Sequence, residues 1–169
     1  MNNFFTMKKI FAMFAAILFC GSMMVSCSKD DDKNDDSTQY PTKADMVGTW
    51  TGTYTGTAMV EGNNENYTLN WTLTLNPENA NTVGVLRYTA TFTTLQDLSF
   101  DVVVNDYYVR ENTTTGRIKL TGNQMAGIVE DMIDFDIDLS AKTLKGTLEV
   151  HTAGEDMVTL GGETTLTKQ

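Results

Sequence analysis

The chain has 169 residues, 41% of them hydrophobic, and it carries a formal net charge of −10. These figures fit one globular domain with its own core, and they exclude a long repeat array and a polytopic membrane protein. The excess of 22 acidic over 12 basic residues argues against a nucleic-acid partner, because phosphate binding needs clustered cations.

The N-terminal segment has the features of an export signal. Lys8 and Lys9 precede an apolar run over residues 10–20. A short cationic head followed by about 11 apolar residues is typical of a secretory signal peptide and is too short to span a membrane. We therefore predict a signal segment over residues 1–26.

The end of that segment, Met24-Val25-Ser26-Cys27, resembles the bacterial lipobox. In such precursors a diacylglycerol is attached to the cysteine thiol and cleavage makes this cysteine the first residue, so the resemblance implies lipidation of Cys27. The alternative is a plain secretory signal with an incidental cysteine. The chain's other cysteine, Cys20, lies in the removed segment. We therefore expect no thiol in the mature domain for a disulfide, a metal or a nucleophile.

Residues 28–38 form a run rich in aspartate and lysine. Such a run cannot bury apolar surface, so we predict that residues 27–44 are the lipidated cysteine and a flexible acidic tether. Ser28, directly after the lipidated position, resembles outer-membrane sorting in Gram-negative bacteria. The block of lysine and then aspartates resembles the surface-export signal of lipoproteins in Bacteroidota. The resemblances imply an outer-membrane anchor facing the cell exterior, and a periplasm-facing anchor is the alternative.

From residue 45 to 169 the sequence alternates between apolar and polar residues. This period of two is typical of half-buried strands, and turn signals separate the segments. The predicted strands are residues 46–56, 67–75, 86–92, 98–104, 118–120, 133–139, 144–150 and 158–166. Eight or nine strands in one all-β domain predict an antiparallel barrel, with a β-sandwich as the alternative.

The first predicted strand carries Trp50 and Tyr54 on one face, with glycine at every fourth position. Glycine on this face permits strong coiling beside large rings. The motif Gly48-Thr49-Trp50 resembles the first-strand signature of the lipocalin-like, or calycin, superfamily. The resemblance implies an up-and-down barrel of about eight strands over residues 45–169. It also implies that the tryptophan closes one end and that the other end admits a small apolar ligand.

Seven aromatic side chains lie on the predicted inward faces and form the candidate ligand-binding set. They are Trp50, Tyr54, Tyr67, Trp71, Tyr88, Phe92 and Phe100. The alternative for each is a place in the core, since aromatic rings dominate packing. An eight-stranded barrel is just wide enough to be filled by side chains or to hold one small ligand.

Two further features, a row of aspartates and a single histidine, do not have the spacing or the partners that a metal or catalytic site needs. Asp134, Asp136 and Asp138 alternate along one strand, about 7 Å apart, which is too far for three oxygens to converge on calcium, so we predict a solvated outer face. His151 is the single histidine, and a zinc site or a catalytic triad needs partners that the sequence does not supply. We therefore expect no enzyme activity, no metal and no cofactor.

The sequence thus predicts a lipid-anchored barrel that binds a small apolar or amphipathic molecule in its interior. One alternative is a filled barrel that acts as an envelope or interaction module. Another is a surface protein that contacts carbohydrate through exposed Trp or Tyr rings. The expected partners are a membrane, through the lipid, and the small ligand. No feature of the sequence indicates a protein partner.

Overall fold

The computed structural model describes residues 39–60, 62–121, 132–151 and 158–169. The predicted signal segment, Cys27 and the tether up to residue 38 lie outside the described residues, so these stay predictions. Within the described ranges, no helix is long and apolar enough to cross a membrane.

Across the described residues, eight antiparallel strands form a closed barrel in which neighbours in sequence pair and the last strand pairs with the first. A four-residue helix, α1 (Lys43–Met46), precedes them. The strands are β1 (Gly48–Val60), β2 (Asn63–Leu75), β3 (Gly84–Phe92), β4 (Leu98–Val109), β5 (Thr115–Leu120), β6 (Met132–Asp138), β7 (Thr143–His151) and β8 (Thr159–Lys168). The predicted up-and-down barrel is confirmed, and the sandwich alternative is wrong.

The alternation of side chains accounts for the closed sheet. In β2, Tyr67, Leu69 and Trp71 are buried on the inner face, while threonines and asparagines occupy the positions between them. In β6, Ile133 and Phe135 are buried and the intervening aspartates are exposed. Burial of the inner face drives folding, and closure gives every strand a neighbour on both sides.

The fourth strand differs from its prediction because of a bulge. The pairing of β4 with β5 shifts between Val104 and Asp106. Val104 and Tyr107 are both buried, at 1% exposure each, so the inward face changes from even to odd positions. An alternation pattern breaks at such a shift, which is why the predicted strand ends at residue 104 while β4 continues to Val109.

The two ends of the barrel are built differently. We call the end that carries α1 and the C-terminus the closed end. The connections β2–β3, β4–β5 and β6–β7 also lie there, as the strand order requires. We call the opposite end the mouth. It carries the β1–β2 turn and the β3–β4 connection, and the connections that leave Leu120 and His151 start there.

Candidate functional site

The structure separates the seven predicted aromatic residues into three groups. Trp50 lies alone at the closed end. A middle row joins β2, β3 and β4 through the register pairs Trp71–Tyr88 and Tyr88–Phe100. The third group is a mouth cluster in which ring contacts connect three side chains. Its members are Tyr54, Tyr67 and Phe92.

The closed end is sealed by contacts within the protein. Trp50 is 2% exposed, and its Nε1 donates a hydrogen bond to the backbone oxygen of Met46 at 2.8 Å. The Lys168 ammonium lies 5.0 Å from the centroid of the Trp50 ring and donates to the backbone oxygen of Asp45 at 2.9 Å. Both the polar edge and one face of this indole are therefore occupied. Trp50 lies where the lipocalin-like resemblance implies a closing residue.

The middle row holds large rings in contact, but one polar atom in it has no partner. The ring centroids of Trp71 and Tyr88 lie 5.4 Å apart, and those of Tyr88 and Phe100 lie 5.6 Å apart. Trp71 and Tyr88 are each 1% exposed, whereas Phe100 is half-buried. The Nε1 of Trp71 is fully buried and makes no hydrogen bond. Burial raises the pKa of the Tyr88 hydroxyl to about 12, so this group stays protonated at neutral pH.

The mouth cluster spans the seam between β8 and β1. Near the closed end this seam is paired through Trp50–Lys168 and Thr51–Thr167. Nearer the mouth, the backbone N–H of Gly161 in β8 donates instead to the Tyr67 hydroxyl of β2 at 3.0 Å. A side chain from β2, the second strand away from β8, therefore accepts the hydrogen bond that the neighbouring β1 would otherwise accept.

Glycine at this part of β8 is required by a close approach. Gly161 has a φ of +110°, and a Cβ there would lie 2.2 Å from the backbone oxygen of Leu148. At the next position, a Cβ on Gly162 would lie 3.0 Å from the Tyr54 ring. Gly161 therefore permits the close approach of the β7 backbone, and Gly162 makes room for the Tyr54 ring of the mouth cluster.

One buried charged residue at the mouth, Glu65, was not predicted from the sequence. Glu65 is 7% exposed, and its carboxylate accepts hydrogen bonds from the hydroxyl and the backbone N–H of Thr94, the latter at 3.3 Å. β2 begins at Asn63, and the predicted strand begins at residue 67. The signal was present, because position 65 continues the odd-numbered inward face of Tyr67 and Leu69.

The described residues also line cavities outside the core. An open groove of about 520 Å³ crosses the outer face of β1, β2 and β3 near the mouth. Its lining combines uncharged polar residues with Gly56 and two residues of the mouth cluster, Tyr67 and Phe92. The polar residues are Thr55, Thr57, Asn66, Thr68, Thr91 and Thr93. Two clefts of about 410 and 490 Å³ lie at the closed end, one beside Trp50 and one beside Tyr107.

The aspartates of β6 are exposed on its outer face, and two of them, Asp134 and Asp138, are held by neighbouring groups. The Asp134 carboxylate accepts hydrogen bonds from Arg117, with Nη2 at 2.7 Å, and from Arg110 at 3.1 Å. The Arg117 guanidinium holds the pKa of this carboxyl below its ordinary value. Asp138 accepts from Ser140 instead. In the described part of the chain, no three His, Cys, Asp or Glu side chains are grouped to hold a metal ion.

His151 ends β7 and is half-buried, with its Nδ1 lying 3.0 Å from the hydroxyl of Thr159 in β8. The two residues are register partners. This contact links adjacent strands, and it gives His151 a structural place at the mouth end of the sheet.

Comparison of the chain with protein-family models, curated proteins and solved structures gives no match. Any functional assignment therefore depends on the geometry of the barrel and on the signals in the N-terminal sequence.

Proposed function

We propose that this protein is a lipid-anchored barrel that binds a small apolar or amphipathic molecule between its mouth and the middle row of rings. The observation that carries the proposal is the graded burial of the aromatic residues. Tyr54, Phe92 and Phe100 are half-buried. The first two contact the buried ring of Tyr67, and Phe100 contacts the fully buried ring of Tyr88. A ligand that enters at the mouth exchanges water for aromatic walls, which is the usual basis of affinity in such sites.

The difference between the two ends supports this direction of entry. At the closed end, Trp50 already has a hydrogen bond and a cation on its ring face. At the mouth, Tyr67 and Glu65 bring polar groups to the inner face. An amphipathic molecule meets polar groups first and apolar walls deeper in the barrel.

The anchor belongs to the proposal and gives it an orientation. From the lipobox-like sequence we propose that Cys27 is lipidated. From the residues after it we propose outer-membrane sorting with display on the cell exterior. The described chain enters the barrel through α1 at the closed end. In the proposed arrangement the tether therefore joins the domain at the end opposite the ligand entrance. The proposed activity is binding alone and uses no cofactor.

A filled barrel that serves as an envelope or interaction module is the second candidate. It is favoured by the ring contacts of the middle row, where side chains pack at centroid distances of 5.4 and 5.6 Å. The uncharged outer groove would then be its contact surface. The carbohydrate alternative loses its best residues, because both tryptophans are buried and only exposed tyrosines such as Tyr108, at 39% exposure, remain for it.

A binding titration separates the two candidates. We expect a neutral, environment-sensitive apolar dye to bind the soluble domain with saturation at one site, and to raise its melting temperature. Phe92→Glu, which places a charge in the mouth cluster, should abolish binding. Thr91→Glu adds the same charge at the adjacent exposed position and should leave binding intact. Absence of saturable binding, with melting unchanged across a lipid and metabolite screen, would favour the filled barrel.

The anchor has its own test. Cys27→Ala should release the protein from the membrane fraction, whereas Cys20→Ala, inside the signal segment, should leave it membrane-bound. Digestion by protease added to intact cells would support display on the exterior, and protection would support the periplasm-facing alternative. Membrane attachment of the Cys27→Ala variant would refute lipidation.

A further inference from the structure

The buried indole N–H of Trp71 is the most unusual polar group in the described part of the barrel. Trp71 is 1% exposed, it lies on the inner face of β2, and its Nε1 has no hydrogen-bond partner. Buried donors in folded proteins are almost always paired, because an unpaired one has lost its hydrogen bonds to water without replacement. Trp50, the chain's other tryptophan, follows this rule through Met46.

We infer that the ligand is a neutral molecule with an oxygen acceptor, such as a ketone, an ester or an ether, and that this oxygen accepts the hydrogen bond of Trp71 Nε1. This inference rests on the proposed function, since it assigns the chemical class of the molecule bound at the same site. The rest of the ligand is apolar, because the residues beside Trp71 in the row are the rings of Tyr88 and Phe100.

An acceptor is required because the indole can only donate. Indole has one N–H and no acceptor atom, so a hydroxyl can satisfy it only through its oxygen, and an ammonium group cannot satisfy it at all. A pure hydrocarbon fills the same space and leaves the donor unpaired. The barrel should therefore distinguish two molecules of equal length that differ by one carbonyl oxygen.

The expectation that the ligand is neutral follows from the charged groups of the described barrel. Glu65 is the one charged side chain classed among the buried described residues, and it lies on the inner face at the mouth. Two of the cations at the closed end are already engaged, Lys168 with Trp50 and Asp45 and Lys43 with Glu78. Tyr88 is kept protonated by its burial. A carboxylate ligand would pass the Glu65 side chain and, among the described residues, meet no cation at the middle row, which makes its desolvation costly.

The test is nuclear magnetic resonance of the soluble domain, titrated with three medium-chain probes of equal length: a methyl ketone, the alkane and the fatty acid. With two tryptophans in the chain, the indole region holds two N–H signals, which a single Trp→Phe variant assigns. We expect the ketone to shift the Trp71 signal downfield while the Trp50 signal stays near its starting position. The alkane should bind without this downfield shift.

Affinities give the second measurement. One net hydrogen bond corresponds to about fivefold tighter binding of the ketone than of the alkane, and the fatty-acid anion should bind about tenfold more weakly than the ketone. Trp71→Phe keeps a ring and removes the donor, so it should bring ketone and alkane to within about twofold. Tyr108→Phe, which removes a polar group from the outer face of β4, should keep the full preference.

The outcomes separate this inference from the proposal beneath it. If none of the probes binds, both fail. If ketone and alkane bind equally and the Trp71 signal does not move, the barrel binds apolar molecules but the assigned acceptor is wrong, as when the N–H points at the ring face of Tyr88. Preferential binding of the fatty acid would overturn neutrality. The titration of the unmodified domain decides these points even where a variant fails to fold.

Discussion

The closed end and the middle row each hold one tryptophan, and the two indoles differ in whether the N–H has a hydrogen-bond acceptor. Trp50 donates to the backbone oxygen of Met46 and has Lys168 over its ring. Trp71 is equally buried and donates to nothing. Residue type and burial are the same, so the difference lies in what the fold places around each ring.

This difference shows which part of the barrel is complete by itself. At the closed end a helix, the start of β1 and the C-terminal end of β8 supply donors and acceptors that satisfy one another. Deeper in the sheet, Trp71 packs against the Tyr88 ring and lies between the buried Leu69 and Leu73 on the inner face of β2. A protein can bury an unsatisfied donor only at a cost in stability, and such groups are found where strain or ligand binding explains them.

Truncation of the buried Met46 side chain at the closed end should have the largest effect on stability. Met46 is 0% exposed at the end of α1, and Met46→Ala deletes most of its side chain from the sealed end. We expect a loss of about 2–5 kcal/mol in the free energy of unfolding, measured by denaturant titration. The matched control is Met59→Ala in β1, where the side chain is 65% exposed and a change within about 0.5 kcal/mol is expected. Equal losses would show that α1 does not seal the barrel.

Exchange of each tryptophan for phenylalanine tests the comparison directly. Both changes shrink a buried ring, but only Trp50→Phe also leaves the buried carbonyl of Met46 without its donor. Trp50→Phe should therefore be more destabilising than Trp71→Phe, by about 1–3 kcal/mol. Denaturation of the two variants without ligand is the measurement. A larger loss for Trp71→Phe would mean that its N–H has an acceptor inside the protein.

The mouth should respond less to the loss of its bridging hydroxyl. Tyr67→Phe removes the acceptor of the Gly161 N–H and should cost about 1 kcal/mol. Because the bond crosses the β8–β1 seam near the mouth, we also expect faster amide hydrogen exchange at Gly161, with little change at Lys168 near the closed end. Tyr54→Phe removes a hydroxyl from the neighbouring ring and is the matched control. Uniform exchange at both ends would contradict a local role for Tyr67.

The Gly48-Thr49-Trp50 motif favoured an up-and-down barrel over a sandwich. Alternation predicted the antiparallel all-β domain, because one buried face repeated over eight strands leaves few other ways to cover the apolar residues. The alternation pattern failed where the inward face changes from even to odd positions, as at the bulge between Val104 and Asp106. It also missed α1, since four residues are too few to show a helical period. These misses concern local backbone geometry, which depends on contacts with distant strands.

Of the candidate site, only the set of inward-facing aromatic residues could be predicted from the sequence. The sequence indicates that Trp50 and Trp71 both face inward, and it cannot indicate that one indole finds an acceptor and the other does not. That outcome depends on where the carbonyl of Met46 lies after the barrel closes. Glu65 was missed for a related reason, because its partner Thr94 is 29 residues away in sequence.

Acid should weaken the closed end by a smaller amount. The hydroxyl and the backbone N–H of Thr42 donate to the Asp45 carboxylate at 2.7 and 2.8 Å, and the hydroxyl bond is the main reason why the pKa of Asp45 lies below its ordinary value of 3.8. A lowered pKa in the folded state means that this contribution is present above pH 3.8 and is lost as the pH falls through the folded-state value. Since the pair is exposed, we expect less than about 1 kcal/mol.

The measurement is the free energy of unfolding as a function of pH, followed from neutral pH into the acid range. Asp45→Asn and Thr42→Ala should each flatten the decline below pH 3.8, because each removes the hydroxyl–carboxylate bond. The double variant should flatten it no further, since one bond cannot be lost twice. Additive effects of the two substitutions would show that Asp45 draws its low pKa from a source other than the Thr42 hydroxyl.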